Sequence, residues 1–227
     1  MKKLKFLTIN LLALFTAVAQ AQDIPKSSTY VELGAAIGPS TFSGVGALYH
    51  DWNLGKRHRL ILGTGVRFTG FSGQDINFIT APAELTENDS SIDTLFGPTP
   101  ILYSINLTIN LGFRFTEKLE TGFSIDAAGV SFGPNGSPTY IRNGRSQTTG
   151  ASPTSPNLLL VGDNDRGSLN SIFYVKYRFG QHFGAKVGFQ YLFNELTTTT
   201  KVQTIPEAND RFRYKSSSGF VGLNYTF

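Results

Sequence analysis

The chain has 227 residues, of which 40% are hydrophobic and 16% charged, with a formal net charge of +4 and no cysteine. The lack of cysteine excludes a disulfide framework. No stretch after residue 21 approaches the roughly twenty consecutive apolar residues of a membrane-spanning helix, so helical spans are excluded. Glycine and aromatic residues are abundant, at 24 residues and 13% of the chain, as twisted strands and interfacial aromatic girdles require.

Residues 1–21 are predicted to be a cleaved secretory signal peptide. Three lysines give a basic start, residues 6–18 are mostly apolar, and Ala19 and Ala21 occupy the two positions that a signal peptidase reads. The apolar part is shorter than the roughly twenty residues of a spanning helix. Removing the peptide removes those three lysines and lowers the net charge from +4 to +1. The remaining domain, 22–227, therefore has no charge excess that would indicate a nucleic-acid partner.

Alternation of apolar and polar residues predicts strands from residue 30 onward, because successive side chains of a strand point to opposite faces. The first half of the chain has four such runs, at residues 30–38, 44–54, 60–71 and 101–115. The fourth run alternates most cleanly and is longer than the about 9–11 residues that a strand needs to cross a bilayer. The pattern of the second run does not fix its register.

The second half of the chain has four further runs, at residues 119–132, 169–179, 183–196 and 211–227. The last of these has one apolar face, formed by Val221, Leu223, Tyr225 and Phe227. The residues between them are small or polar. Such a face at an unpaired strand edge is unfavourable in water. We therefore expect this face to contact lipid.

The connections between the eight runs differ in length in a regular way. Those after the second, fourth and sixth runs are short, whereas those after the third, fifth and seventh cover residues 72–98, 133–167 and 197–210. Short periplasmic turns and long extracellular loops are typical of outer-membrane barrels, and an even strand number places both termini at the periplasmic side. Six aromatic residues near the short connections are predicted to form an interfacial belt: Phe113, Phe115, Tyr177, Phe179, Tyr225 and Phe227.

The last run resembles the C-terminal signal by which bacterial outer-membrane β-barrels are recognised for assembly, with Val221, Leu223, Tyr225 and Phe227 as the candidate signal residues. Residues 22–227 resemble the small eight-stranded OmpA/OmpX-type proteins, a porin-family outer-membrane β-barrel domain. The resemblance implies an all-β, eight-stranded antiparallel up-and-down transmembrane barrel in the outer membrane of a Gram-negative bacterium. It also implies outer-membrane lipid, lipopolysaccharide and the barrel assembly machinery as partners.

A soluble antiparallel barrel or sandwich would have the same period of two but would expose the polar face of each strand. That face is rich in Gly, Ser, Asn and Thr and has only scattered charges. A crowded barrel interior suits this composition better than a solvated surface does. The membrane barrel is therefore the favoured interpretation.

The interior of an eight-stranded barrel is just wide enough for side chains to fill it, and charges buried there must be paired. The inward-facing charged residues are Glu32, Arg67, Arg114, Glu120, Asp126, Lys176, Arg178 and Lys186. A three-residue turn at 116–118 would place Arg114 opposite Glu120, and Asp126 would reach toward the basic side chains of the sixth strand. We interpret these residues as a polar plug; the alternative is a water-filled lumen with solvated charges.

No catalytic residue, cofactor or metal site is predicted. Enzymatic barrels need histidine with Ser, Asp or Glu at the extracellular rim, whereas His50, His58 and His182 all fall toward the predicted periplasmic side.

The loop 72–98 carries five acidic residues and no Lys or Arg. It is interpreted either as a solvated loop or as a surface for a partner or for divalent cations shared with lipopolysaccharide. The apolar run 158–161 is interpreted either as part of a hairpin or as a contact site.

These features predict a surface and envelope-integrity scaffold that contacts an extracellular partner through loops 72–98 and 133–167. The alternative function is a narrow, porin-like channel for small solutes or ions. A barrel that assists a secretion machine is a third interpretation. Whether the inward charges pair with one another or line water distinguishes the first two.

Overall fold

The computed structural model describes residues 24–160 and 164–227, and the predicted signal peptide lies outside these residues. The described residues form fourteen strands: β1 (Ser27–Gly38), β2 (Thr41–Leu54), β3 (Leu60–Gly73), β4 (Ile76–Thr80), β5 (Thr94–Gly97), β6 (Ile101–Arg114), β7 (Leu119–Phe132), β8 (Thr139–Arg142), β9 (Arg145–Thr148), β10 (Ala151–Pro153), β11 (Asn157–Leu158), β12 (Leu169–Phe179), β13 (Phe183–Thr198) and β14 (Arg211–Thr226). Two short 3₁₀ turns lie at Ala83–Thr86 and Asp89–Ser91. In this part of the chain no helix is long and apolar enough to cross a membrane.

Eight long strands form a closed antiparallel barrel in the order β1, β2, β3, β6, β7, β12, β13 and β14. The ring closes where β14 pairs with β1, with Val31 opposite Tyr225. Closure leaves no long edge of unpaired backbone groups, which is the condition for a sheet to cross a bilayer. The predicted eight-stranded antiparallel barrel is confirmed, and each predicted strand is found at or near its predicted position.

The exterior of the barrel is apolar and its interior is polar. The large hydrophobic side chains on the outer face are between 36% and 74% exposed, whereas most charged and amide side chains of the same strands are buried. A soluble protein would show the reverse arrangement, so the outer face is a lipid-facing surface. The soluble barrel or sandwich is thereby excluded, and the outer-membrane location predicted from the sequence agrees with this surface.

The two ends of the barrel differ. We call the end with the connections 55–59, 115–118 and 180–182 the turn end, and the opposite end the loop end. The six residues of the predicted aromatic belt all lie on the outer face at the turn end. Neighbouring rings are in contact, for example Phe113 with Phe115 at 5.2 Å and Phe183 with Tyr225 at 5.3 Å between centroids. Aromatic rings in this position suit the interface between lipid and water.

The long connections are more ordered than their composition predicts. Strands β4, β5, β8 and β9 extend the sheet from β14 over the loop end, and β10 and β11 pair with β13 and β7. A hydrophobic cluster lies beneath them, formed by Phe71, Ile76, Phe78, Leu95, Leu102, Tyr140, Ala151, Leu192, Leu196 and Phe212. The connections 72–98 and 133–167, predicted as long loops, therefore contain short paired strands that the sequence pattern did not predict. We call this layer the loop-end cap.

Several inward glycines lie close against the backbone of the neighbouring strand. Gly188 on β13 is one of them, because a Cβ there would lie 2.9 Å from Tyr174 Cα and would overlap the carbonyl oxygen of Phe173 on β12. We expect Gly188→Ala to lower the free energy of unfolding by about 1–3 kcal/mol through overpacking. Urea unfolding in lipid vesicles measures this. Gly219→Ala on β14 is the matched control, since nothing lies within 4 Å of its Cβ; equal effects of the two substitutions would contradict the prediction.

Candidate functional site in the barrel lumen

The charged side chains at the turn end of the lumen gather around Glu120. Arg114 on β6 is the register partner of Glu120 on β7, and its Nη2 and Nε lie 2.9 and 3.1 Å from Glu120 Oε2. Lys176 on β12 places its Nζ 3.1 Å from Glu120 Oε1, and Arg178 Nη2 lies 4.0 Å from Oε2. The Glu120 side chain is 2% exposed. One buried carboxylate therefore balances cations from two other strands.

A second ion pair in the lumen joins β13 to β1. Lys186 Nζ is 2.5 Å from Glu32 Oε2, and Asn224 Nδ2 donates to the same oxygen at 2.8 Å. The Lys186 ammonium also lies 4.1 Å from the centroid of Tyr174. Three tyrosine rings surround this ammonium: Tyr30, Tyr49 and Tyr174. Ring faces attract a desolvated cation, so this tyrosine cage holds the Lys186 ammonium inside the lumen.

A third ion pair crosses the lumen from β3 to β7. Arg67 Nη1 lies 3.1 Å from Asp126 Oδ1, and both side chains are 0% exposed. Arg67 also donates from Nη1 to the carbonyl oxygen of Asn170 at 2.8 Å and from Nη2 to Tyr49 Oη at 3.0 Å. A single guanidinium thus connects four strands, with Ser124 Oγ as a further acceptor on β7.

The partner of Asp126 differs from the prediction. Asp126 contacts Arg67 of β3 and accepts hydrogen bonds from Asn106 Nδ2 and the Asn170 amide. It does not pair with the basic side chains of the sixth barrel strand, β12. The register explains this, because Lys176 lies opposite Glu120 and the β12–β7 pairing ends at Ser171 and Ile125. The basic residues of β12 therefore lie nearer the turn end than Asp126 does.

The structure places all eight predicted lumen residues on the inner face. Seven are buried to 1% exposure or less, and only the Arg178 side chain, at 16%, lies toward solvent. Two buried acids of the barrel strands were not predicted. The first, Asp51 on β2, is 1% exposed and accepts a hydrogen bond from Asn110 Nδ2 at 2.9 Å. Its position depends on the register of β2, which the sequence pattern left open. β2 pairs with β1 from Thr41 opposite Gly38 to Trp52 opposite Ser27, and this register places Tyr49 opposite Tyr30.

A fourth buried carboxylate cluster lies at the loop end and was not predicted. Glu195 on β13 is 0% exposed, and its two oxygens lie 2.8 Å from Arg211 Nε and from Arg213 Nη2 of β14. Both arginines also donate to the carbonyl oxygen of Asp165. Since β12 begins only at Leu169, this cluster attaches the preceding segment to the barrel wall.

The apolar run 158–161 of the second long loop begins in β11, which pairs with β7. Leu158 pairs with Ala128 of β7, which makes β11 part of the barrel wall where β12 is absent. The side chains of Leu158 and Leu160 are 38% and 47% exposed. Leu158 also forms an antiparallel bridge with Arg166, so the run is part of a hairpin, while residues 161–163 lie outside the described part of the chain.

We expect Glu195→Gln to loosen the segment between β11 and β12, because the substitution removes the charge that holds Arg211 and Arg213. Limited proteolysis of the folded protein should cut between residues 155 and 168 at least about tenfold faster, which corresponds to about 1.4 kcal/mol of local opening. Glu207→Gln, at an exposed position in the third loop, is the control. Unchanged cleavage in Glu195→Gln would show that the cluster does not fix this segment.

The acidic loop 72–98 presents four exposed acids, Asp75, Glu84, Glu87 and Asp89. The fifth, Asp93, is buried and accepts hydrogen bonds from Tyr140 Oη at 2.5 Å and Arg142 Nη1 at 3.2 Å. Burial and the bond to Asp93 raise the pKa of Tyr140 to about 12. Among the residues described here, no group of three or more His, Asp or Glu is arranged to hold a metal ion.

No family model matches the chain, and no curated protein matches it. Several solved structures are similar at low identity. Neisserial surface protein A is 12% identical over 88% of this chain and 96% of that chain, with a TM-score of 0.39. Ail of Yersinia pestis is 12% identical over 90% and 100%, with a TM-score of 0.38. The outer-membrane protease OmpT of Escherichia coli is 10% identical over 92% and 100%, with a TM-score of 0.32.

Likeness at these scores carries no argument about function. The class is assigned instead by the closed ring of strands, the apolar exterior and the polar interior. The chain is a transmembrane β-barrel protein. The absence of enzymatic activity stays a prediction, and the three histidines lie where the sequence placed them, with His50 bonded to Thr29 Oγ1 at 2.7 Å on β1.

Proposed function

We propose that this protein is a plugged barrel that serves as a surface and envelope-integrity scaffold. The observation that carries the proposal is the pairing of charges in the lumen. The carboxylates of Glu32, Glu120 and Asp126 each lie within 3.1 Å of a cation. A solute path would need these groups to be solvated, and separating a buried pair leaves an uncompensated charge in a region of low dielectric.

The ion pairs also connect strands that are not neighbours. Arg67 on β3 reaches Asp126 on β7, past the intervening β6, and Lys186 on β13 reaches Glu32 on β1, past β14. Such contacts pass through the lumen instead of along the wall. They therefore occupy the space that a channel would use and resist deformation of the barrel cross-section.

The loop-end cap provides the surface for contacts. Its hydrophobic cluster supports the strands above the lumen, and the exposed acids of loop 72–98 give it a negative region suited to a basic partner. Loop 133–167 contributes the exposed strand β9. The remaining proposed partners are membrane lipid and lipopolysaccharide around the apolar wall, and the assembly machinery at Val221, Leu223, Tyr225 and Phe227, which lie on the outer face of β14.

A narrow channel is the second candidate, and one observation favours it. Several buried lumen atoms have no hydrogen-bond partner in the protein, among them Tyr30 Oη, Asp51 Oδ2 and Gln190 Nε2. Buried polar groups of this kind are commonly satisfied by ordered water. A continuous row of water would give a path for small ions.

Deleting the gene in the bacterium that produces the protein distinguishes the two functions. A scaffold predicts greater sensitivity to detergents and faster entry of a hydrophobic dye, with both effects reversed by the native protein. A channel predicts an intact barrier and slower uptake of a small hydrophilic solute. The second result would contradict the proposal.

A further inference from the structure

The turn end of the barrel contains a cleft of about 400 Å³. Its lining consists of Ile24, Pro25, Arg114, Glu117, Lys118, Arg178, Gly180 and Gln181. A volume of this size is within the range of small-molecule sites. The cleft lies at the mouth of the lumen, on the side predicted to face the periplasm.

Cations exceed anions around this cleft. Glu120, just inside it, is shared by Arg114, Lys176 and Arg178, so one carboxylate faces three positive charges. Arg178 is the least satisfied of the three, because its Nη2 lies 4.0 Å from Glu120 Oε2, too far for a hydrogen bond. At the rim, Lys118 adds a further positive charge and Glu117 a negative one.

Donor atoms of the two arginines are buried without an acceptor in the protein. These atoms are Nη1 of Arg114, whose side chain is 1% exposed, and Nε and Nη2 of Arg178. Both guanidiniums line the cleft and approach the same carboxylate oxygen. A guanidinium is a forked donor that matches the paired oxygens of a carboxylate or phosphate. The cleft therefore offers donors with the geometry and charge for an oxyanion.

We propose that this cleft binds the anionic end of a small molecule or chain terminus, a carboxylate or a phosphate, with Arg178 and Arg114 as the donors. Lys118 attracts the anion at the rim. The site shares the turn-end cations of the lumen with the proposed plug, but it does not require the scaffold role of the loop-end cap.

Chemical-shift titration of the refolded native protein in lipid nanodiscs tests the proposal, with inorganic phosphate and with acetate at constant ionic strength. We expect saturable shifts at residues 180–181 and at the Arg178 side chain. Saturation by phosphate alone would assign a phosphate ligand, and saturation by acetate alone a carboxylate ligand. Shifts that do not saturate with either anion would overturn the proposal.

Arg178→Gln is expected to raise the dissociation constant at least tenfold, and Lys118→Gln, which changes only the exposed rim, about threefold. Arg145→Gln on β9 removes the same charge at the opposite end of the molecule and is expected to leave binding unchanged. If Arg178→Gln does not fold, Lys118→Gln against Arg145→Gln decides the question. Equal affinities in the cleft variant and the Arg145 control would overturn the assignment.

Discussion

Replacing Glu120 with glutamine is expected to lower the free energy of unfolding by about 3–5 kcal/mol, because it leaves Arg114 and Lys176 buried without a counter-charge. Glutamine has nearly the same shape as glutamate, so the loss of unfolding free energy reports the removed charge and not a change in packing. Urea unfolding in lipid vesicles reports it through the fluorescence of Trp52, the single tryptophan.

The control for this experiment is Glu207→Gln, which removes the same charge from an exposed loop position. Its expected effect lies within about 0.5 kcal/mol of the native value. A Glu120→Gln variant that is as stable as this control would contradict the ion-paired plug. It would indicate that the cations at the turn end are solvated.

The second large effect is expected at Arg67, the guanidinium that connects four strands. Arg67→Met keeps most of the side-chain volume but leaves Asp126 buried and unpaired, which should cost about 3–5 kcal/mol. Asp126→Asn should have a similar cost, because Arg67 then loses its counter-charge. Unfolding in lipid vesicles measures each single variant.

The double variant Arg67→Met with Asp126→Asn is the decisive comparison. Removing both charges leaves neither uncompensated, so its loss of stability should be smaller than the sum of the two single losses by at least about 1.5 kcal/mol. Additive losses would show that the two side chains do not interact, in contradiction to the 3.1 Å contact between them.

The barrel could be predicted because its strands are long and each keeps a period of two. Arg114 and Glu120 could be paired in advance because they flank a tight turn, where the register is fixed locally. β2 was harder because Gly44, Gly46 and Ala47 make both of its faces small in the middle. Its register, and with it Asp51, depends on the pairing with β1 and β3.

Contacts across the lumen could not be read from the sequence. Asp126 faces Arg67 instead of the basic residues of β12 because of the stagger between neighbouring strands. A register shift in the β6–β7 pairing, between Leu107 and Thr108, changes this stagger further. The loop-end cap was missed for a related reason. Its strands have between two and five residues, which is too short for a period to be recognised in the sequence. Their pairing is supported by tertiary contacts such as Tyr140 with Asp93.

Single-channel recording in planar bilayers tests the central claim, that paired charges close the lumen, most directly. The refolded native protein is expected to show no discrete conductance, and a Glu120→Ala variant should show a leak because the hub of the turn-end cluster is removed. Discrete conductance steps in the native protein would contradict the plug and favour the narrow channel.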